Sequence, residues 1–212
     1  IAAAGPITFD GYGNLHATYN VNLGGKSFTG GFVGTYIVND DAISSPFYEP
    51  VPDDLEDERD DRAGHEAIWN YFARLIPLEQ RDFLSAFAIV TDGNGNILAA
   101  VGQSSDNPGE WILEVDILDS TDEYVLTFTL LHEFAHLLTL NASQVPPSLS
   151  IFGDPENDSL YQSELAACPQ YFPGEGCSRP DSYINLFFER FWLDLYGEWQ
   201  TWGGMRVSNT YF

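Results

Sequence analysis

Positive charge is scarce in this chain. Its 212 residues include 8 lysines and arginines against 32 acidic residues, and the formal charge at pH 7 is −24. The single lysine is Lys26. A field of this sign repels nucleic-acid phosphates and anionic lipid headgroups. We therefore expect no nucleic-acid partner and no membrane partner, while the oligomeric state is left open.

Long apolar runs are also missing. A membrane-spanning helix needs ~20 consecutive apolar residues, and the nearest approach, residues 130–140, is interrupted by histidine and glutamate. The chain is nevertheless 44% hydrophobic and 15% aromatic. This composition supports a substantial core and excludes global disorder. The length suits one sizeable domain or two lobes around a cleft.

Only two cysteines are present, Cys168 and Cys177, in the Pro- and Gly-rich stretch "ACPQYFPGEGCSRP". Two cysteines this close predict a small disulfide-closed loop, which suits an oxidising compartment. A thiolate metal site is the alternative, but no second cysteine pair accompanies these two. The start "IAAAGP" is typical of the trimmed remains of a longer precursor. We therefore expect a secreted, extracellular protein.

Three regions differ in pattern. Residues 1–40 alternate short β-type runs with glycine turns and predict two or three antiparallel strands. Residues 41–63 carry prolines and acidic residues without periodicity, which indicates an acidic linker or surface loop. From residue 64 onward helical spacing appears, and residues 64–212 are expected to form the main domain.

The middle of the chain predicts a sheet followed by a helix. "FAIVTDGNGNILAAV" is interpreted as a β-hairpin. Its turn begins like a calcium-binding loop, but Ile97 stands where that loop needs glycine. "WILEVDIL", residues 111–118, alternates like a strand. A helix over residues 121–140 should follow, with Ser120 and Glu123 as its capping box.

The chemistry lies in "TLLHEFAHLLTL", residues 129–140. An H-E-x-x-H pattern on a helix places His132 and His136 four residues apart, about 40° around the axis, so both imidazoles face one spot. Together they can bind Zn²⁺, and Glu133 lies beside them to hold a water molecule. Two hydrogen-bonded core histidines are the plainer alternative. The metal site explains better why three polar residues occupy an otherwise apolar helix.

On the motif "HEFAH" and the order of elements around it, the chain resembles the zincin metallopeptidases over roughly residues 64–196. The resemblance implies an α+β fold with a small, twisted, mostly antiparallel sheet, an active-site helix below a cleft and a helical C-terminal part. It implies that an edge strand, here "WILEVDIL", binds the peptide substrate by strand addition. The β-rich region 1–40 would precede this domain.

The resemblance leaves the third zinc ligand open. The three-histidine pattern of the metzincins fails, because Thr139 and Ala142 stand where it needs glycine and histidine. A glutamate from a later helix, as in the gluzincins, fits better. Glu189, amid aromatics in "NLFFERFW", is the first choice and Glu164 the second. The remaining candidates are Glu156 and an aspartate such as Asp194.

A zincin-like site implies hydrolysis of peptide bonds in a peptide or protein substrate. Zinc would activate a water molecule, and Glu133 would act as the general base. Tyr183 or Tyr196 is expected to stabilise the oxyanion. The alternative function is a non-proteolytic secreted binding module with a structural zinc site. The intact Glu133 argues against it, because a structural site needs no base.

Overall fold

A computed structural model describes most of the chain. The described residues are 8–9, 15–16, 19–23, 26–91, 98–104, 107–155, 157–193 and 195, with side chains from residue 31 onward. They form two compact units, Ala2–Leu137 and Leu138–Phe212. In the described part of the chain, no helix has both the length and the apolar character that a membrane crossing requires.

The first unit combines a sheet with helices. Its strands are β1 (Thr8–Phe9), β2 (Leu15–His16), β3 (Tyr19–Leu23), β4 (Lys26–Asn39), β5 (Ala42–Ile43), β6 (Phe47–Tyr48), β7 (Leu84–Thr91), β8 (Ala99–Gln103) and β9 (Trp111–Asp116). Its helices are α1 (Glu56–Asp60), α2 (Arg62–Leu75) and the first part of α3 (Glu123–Leu140). Short 3₁₀ turns lie at Asp53–Leu55 and Leu78–Gln80. The acidic region 41–63 thus contains β5, β6 and α1.

The main sheet has the order β3-β4-β7-β9-β8, with β5 and β6 also paired to β4. β7 and β9 are parallel, and the other pairs of this sheet are antiparallel. β1 and β2 form a separate antiparallel pair. The mixture of helices with a mostly antiparallel sheet confirms the α+β class.

Two expectations about the sheet are wrong. The stretch "FAIVTDGNGNILAAV" is not a β-hairpin, because β9 lies between β7 and β8 and pairs with both. For the same reason "WILEVDIL" is not an edge strand: β9 is interior and all of its residues are buried. Among the described strands, β8 lies at this edge of the sheet instead. The loop that resembles a calcium site, residues 92–97, lies outside the described residues.

One face of the sheet is covered by the aromatic side of α2. Trp69 and Phe72 are buried, and the Trp69 ring lies 5.5 Å from that of Phe87 on β7. Tyr36 of β4 is fully buried against the same Phe87 ring at 5.9 Å. Burial of aromatic area on this scale contributes most of the stabilisation that a core provides.

His65 is part of this core. Its Nε2 lies 2.8 Å from the backbone oxygen of Glu58, and its Nδ1 lies 2.6 Å from the Tyr36 hydroxyl. A carbonyl oxygen can only accept, so Nε2 carries the proton and Nδ1 accepts from Tyr36. Both ring nitrogens are therefore satisfied within the fold. His65 therefore has a structural role, because both of its ring nitrogens are taken up by Tyr36 and Glu58.

This arrangement predicts an acid-sensitive contribution to stability. Burial holds the pKa of His65 below its usual value of 6.5, so the unfolded chain takes up the proton first and stability falls as the pH drops below about 6.5. Tyr36→Phe leaves Nδ1 without its donor and should cost about 1–3 kcal/mol at pH 7. Urea unfolding of both proteins between pH 7.5 and 5 checks the slope and the loss. An unchanged midpoint in Tyr36→Phe would contradict the assigned bond.

The second unit is helical and carries the disulfide. Its elements are the end of α3, α4 (Leu149–Gly153), α5 (Asp158–Ala167), α6 (Tyr183–Phe187) and a π-helical turn at Phe188–Trp192. Cys168 and Cys177 are bonded, which confirms the predicted small loop. α6 and the π-helical turn lie in the aromatic-rich stretch "SYINLFFERFWLDLYGEW", whose final residues lie outside the described part.

Candidate metal site

The site is built on α3, which starts slightly later than expected. Asp122 caps it, because its Oδ1 accepts the Val125 N–H at 3.0 Å. Ser120 is not the cap; its hydroxyl donates to the Ile117 backbone oxygen at 2.8 Å. At the other end the Asn141 side-chain amide donates to the Leu138 backbone oxygen at 3.1 Å. The motif therefore sits well inside a regular helix.

His132, Glu133 and His136 come together as the spacing predicts. The two Nε2 atoms lie 3.2 Å apart, and one ligand atom from each of the three side chains lies within 4.8 Å of the others. Ligands bound to one tetrahedral zinc at ~2.0–2.1 Å are separated by about 3.3–3.4 Å. The histidines thus have the spacing of a pair that shares a metal ion. A search of the described residues for metal-binding clusters finds this group of three side chains.

The surroundings shift the pKa values of both His136 and Glu133. Burial, together with the charge of His132, holds the pKa of His136 below its usual range, which favours the neutral imidazole that metals bind. Burial raises the pKa of Glu133 to about 8, and a hydrogen bond from the Val101 backbone on β8 opposes this rise. Glu133 is 8% exposed. A cation at the two imidazoles would favour its ionised form.

Glu114 is a second buried carboxyl near the site that sequence reasoning missed. It lies on β9, is 3% exposed, and its Oε1 has no hydrogen-bond partner among the described residues. Burial raises the pKa of Glu114 well above its usual range, and the charge of Glu133 adds to the rise. The sequence feature that could have revealed this buried carboxyl is the position of Glu114, an acidic residue at the centre of the apolar run "WILEVDIL".

Glu114 should cost stability at neutral pH. The unfolded chain releases this proton near pH 4.5, whereas the folded chain retains it, so the contribution of Glu114 to stability falls as the pH rises above about 4.5. We expect Glu114→Gln to raise the melting temperature at pH 7 by about 2–4 °C or more. The gain should shrink at pH 4.5. Calorimetry at both pH values checks this, and an equal gain at both would contradict it.

The structure does not support the premise behind the Glu189 assignment. Its side chain is exposed, not enclosed by aromatics, and neighbouring Phe187 and Phe191 are themselves about half exposed. Its Oε1 accepts a hydrogen bond of 3.0 Å from the Asn185 amide. Glu189 and Glu164 belong to the second unit, whereas the two histidines and Glu133 belong to the first. Ligation by Glu189, or by Glu164 as second choice, stays a prediction.

The remaining candidates are only partly described. Tyr183, one of the two proposed oxyanion donors, begins α6 and is 57% exposed. Tyr196, Glu156 and Asp194 lie outside the described residues. Their roles stay predictions.

Comparison of the chain with protein-family models, with curated proteins and with solved structures finds no match in any of the three. The function must therefore be inferred from the residues of the chain and their geometry.

Proposed function

We propose that the protein is a secreted zinc-dependent endopeptidase of zincin-like architecture. The observation that carries the proposal is the pair of Nε2 atoms 3.2 Å apart on α3, with Glu133 beside them. The same distance also suits a hydrogen bond between two neutral imidazoles. That plainer interpretation gives no reason for the adjacent buried glutamate, whereas hydrolysis requires a base at that position.

The donor set fits zinc, which takes imidazole nitrogen readily. Bound there, a zinc ion would supply Lewis acidity and lower the pKa of a water molecule towards ~7. Glu133 would accept the proton of the attacking water and deliver it to the leaving amine. His132 and His136 hold their orientation because the helix fixes both side chains on one face.

The edge of the sheet supports a peptide substrate. The backbone of Val101 on β8 lies close enough to Glu133 to lower its pKa, so the candidate base lies next to strand β8. An extended peptide can add to an exposed edge through backbone hydrogen bonds, which would bring its carbonyl groups to the site. The formal charge of −24 favours cationic or neutral peptides during long-range encounter.

The extracellular location is also a proposal. The Cys168–Cys177 disulfide supports it, because such bonds persist in oxidising compartments.

Turnover of unstructured substrates tests the proposal directly. Casein and a fluorogenic peptide library should be cleaved internally by the full chain, and a chelator such as 1,10-phenanthroline should abolish the cleavage. Addition of zinc should restore it. If stoichiometric zinc is bound but no substrate is cleaved, the non-proteolytic binding module becomes the better interpretation.

A further inference from the structure

Helix α3 carries two rows of side chains with the same spacing. One row begins with Leu126 and Leu130 and is buried. The other consists of Tyr124, Phe128 and Leu131 and runs two residues ahead of the first along the chain. A helix turns about 100° per residue, so a shift of two residues moves a row about 200° around the axis. The second row, here called the outer row, therefore lies on the side of α3 opposite the buried one.

The outer row is apolar and open to solvent. Tyr124 is 82% exposed, Phe128 is 68% exposed and Leu131 is 45% exposed. Helix α2 lies beside α3, because the hydroxyl groups of Tyr71 and Thr127 are 2.6 Å apart, but it leaves the outer row uncovered. Large apolar side chains that are exposed together on one face mark an interaction surface.

The spacing of the outer row indicates the shape of its partner. Its residues are four and then three positions apart, which is the alternation by which two α-helices pack along a shared seam. A β-strand has a period of two residues and does not match this alternation. The partner is therefore a helix with an apolar stripe of its own.

The charge around the outer row indicates the chemistry of that helix. The 97 residues between Arg81 and Arg179 contain 15 acidic residues and no lysine or arginine. Asp122 and Glu123, directly before the outer row, are both exposed. The adjoining helix α2 brings a basic residue, Arg74, in its last turn. The field at the outer row is thus predominantly negative, and it favours a partner with lysine and arginine beside its apolar stripe.

The same charge disfavours the other occupants. A second copy of this chain would bring the same acidic surroundings and would be repelled, as would anionic lipid headgroups. Three partly exposed side chains also provide less than the about 800 Å² per partner that a stable interface buries. The apolar contact therefore needs a further favourable contribution, which opposite charge supplies and like charge does not.

We propose that the outer row, Tyr124, Phe128 and Leu131, is a docking surface for a basic amphipathic helix of another protein. This inference does not rest on the proposed function, because the outer row is formed by other residues of α3 than the candidate site. The apolar stripe of the partner packs on the outer row, and its basic residues face the acidic surroundings. The binding combines the helix-in-groove mode of recognition with electrostatic steering.

A helical probe peptide tests the proposal. The peptide has about 18 residues and blocked ends, long enough to form a helix on binding, with leucines four and three apart and lysine and glutamine elsewhere. The chelated full chain should bind the labelled peptide with a Kd in the micromolar range, measured by fluorescence anisotropy. A peptide of the same composition with its leucines scrambled, and one with glutamate in place of lysine, should each bind at least about tenfold more weakly. Equal binding of either control peptide overturns the proposal.

Variants of the protein locate the binding surface. Phe128→Ser should weaken binding of the basic peptide at least about tenfold, because it removes the central aromatic side chain of the outer row. Tyr124→Ser repeats the test at the most exposed position. Phe187→Ser is the matched control, since Phe187 is a half-exposed aromatic residue on α6, and it should bind as the wild-type protein does. Unchanged binding in Phe128→Ser and Tyr124→Ser, or an equal loss in Phe187→Ser, overturns the proposal.

The other occupants give different results. Sedimentation of the protein alone should show a monomer, and vesicles of phosphatidylcholine should not retain it. A dimer that Phe128→Ser dissociates would assign the outer row to a second copy of the chain and overturn the proposal. Retention on the neutral vesicles that Phe128→Ser abolishes would assign the outer row to a lipid surface, with the same consequence.

Discussion

Glu133→Gln should retain bound metal and lose at least about 100-fold in kcat/KM on a peptide substrate. Glutamine has nearly the same shape as glutamate, but its amide cannot accept the proton of the attacking water. The two histidines remain in place, so the zinc content should stay near one per chain. Steady-state kinetics and metal analysis on the same sample measure both quantities.

The matched control is Glu123→Gln. Glu123 is an exposed residue in the first turn of the same helix. Its replacement by glutamine changes the formal charge by the same amount as Glu133→Gln. It should keep wild-type kcat/KM and the same metal content. Near-normal turnover of Glu133→Gln would rule out Glu133 as the base, and equal losses in both variants would indicate an effect of charge alone.

His132→Ala and His136→Ala should each reduce the zinc content from about one per chain to below about 0.1. Each substitution removes one of the two imidazoles whose Nε2 atoms lie 3.2 Å apart, and a single remaining histidine cannot hold the ion in a fixed geometry. The melting temperature of the wild-type protein should rise when zinc is added, because the metal binds the folded state. This rise should disappear in both variants.

Leu131→Ala serves as the control for these variants. Leu131 precedes His132 on α3 and is 45% exposed, so its truncation should disturb the fold little. It should bind zinc as the wild-type protein does. Stoichiometric zinc in His132→Ala would show that the ion is held elsewhere.

The local features of the site could be predicted from the sequence, because they depend on helical spacing alone. His132 and His136 lie on one face as a consequence of being four residues apart, whatever surrounds the helix. The disulfide was predictable for a similar reason, since its two cysteines are close in the chain. The helix cap was assigned two residues too early, because Ser120 and Asp122 are both good capping residues.

The sheet order could not be predicted, because it depends on pairing between distant residues. β7 and β8 are separated by a turn-like segment, and local rules favour a hairpin there. β9 inserts between them by pairing in parallel with β7, which no local signal indicates. Because the sheet order was predicted wrongly, "WILEVDIL" was also predicted wrongly to be the edge strand that binds the peptide substrate.

Glu189 shows a second limit of local reasoning. The apolar neighbours of Glu189 in the sequence predict an enclosed carboxylate. Phe187 and Phe191 are nevertheless about half exposed, so their presence gives Glu189 no enclosure. Glu114 is the converse case, since a carboxyl in an interior strand is buried whatever its own polarity. Burial is set by what packs on an element, which sequence spacing does not specify.

The zinc content of the wild-type protein tests the central proposal most directly. The full chain is purified in the presence of zinc, passed through a desalting column and analysed by plasma mass spectrometry. We expect about one zinc per chain, removed by a strong chelator and restored when zinc is returned. Less than about 0.1 zinc per folded chain after this treatment would contradict a metal site at His132 and His136, and the proposed peptidase with it.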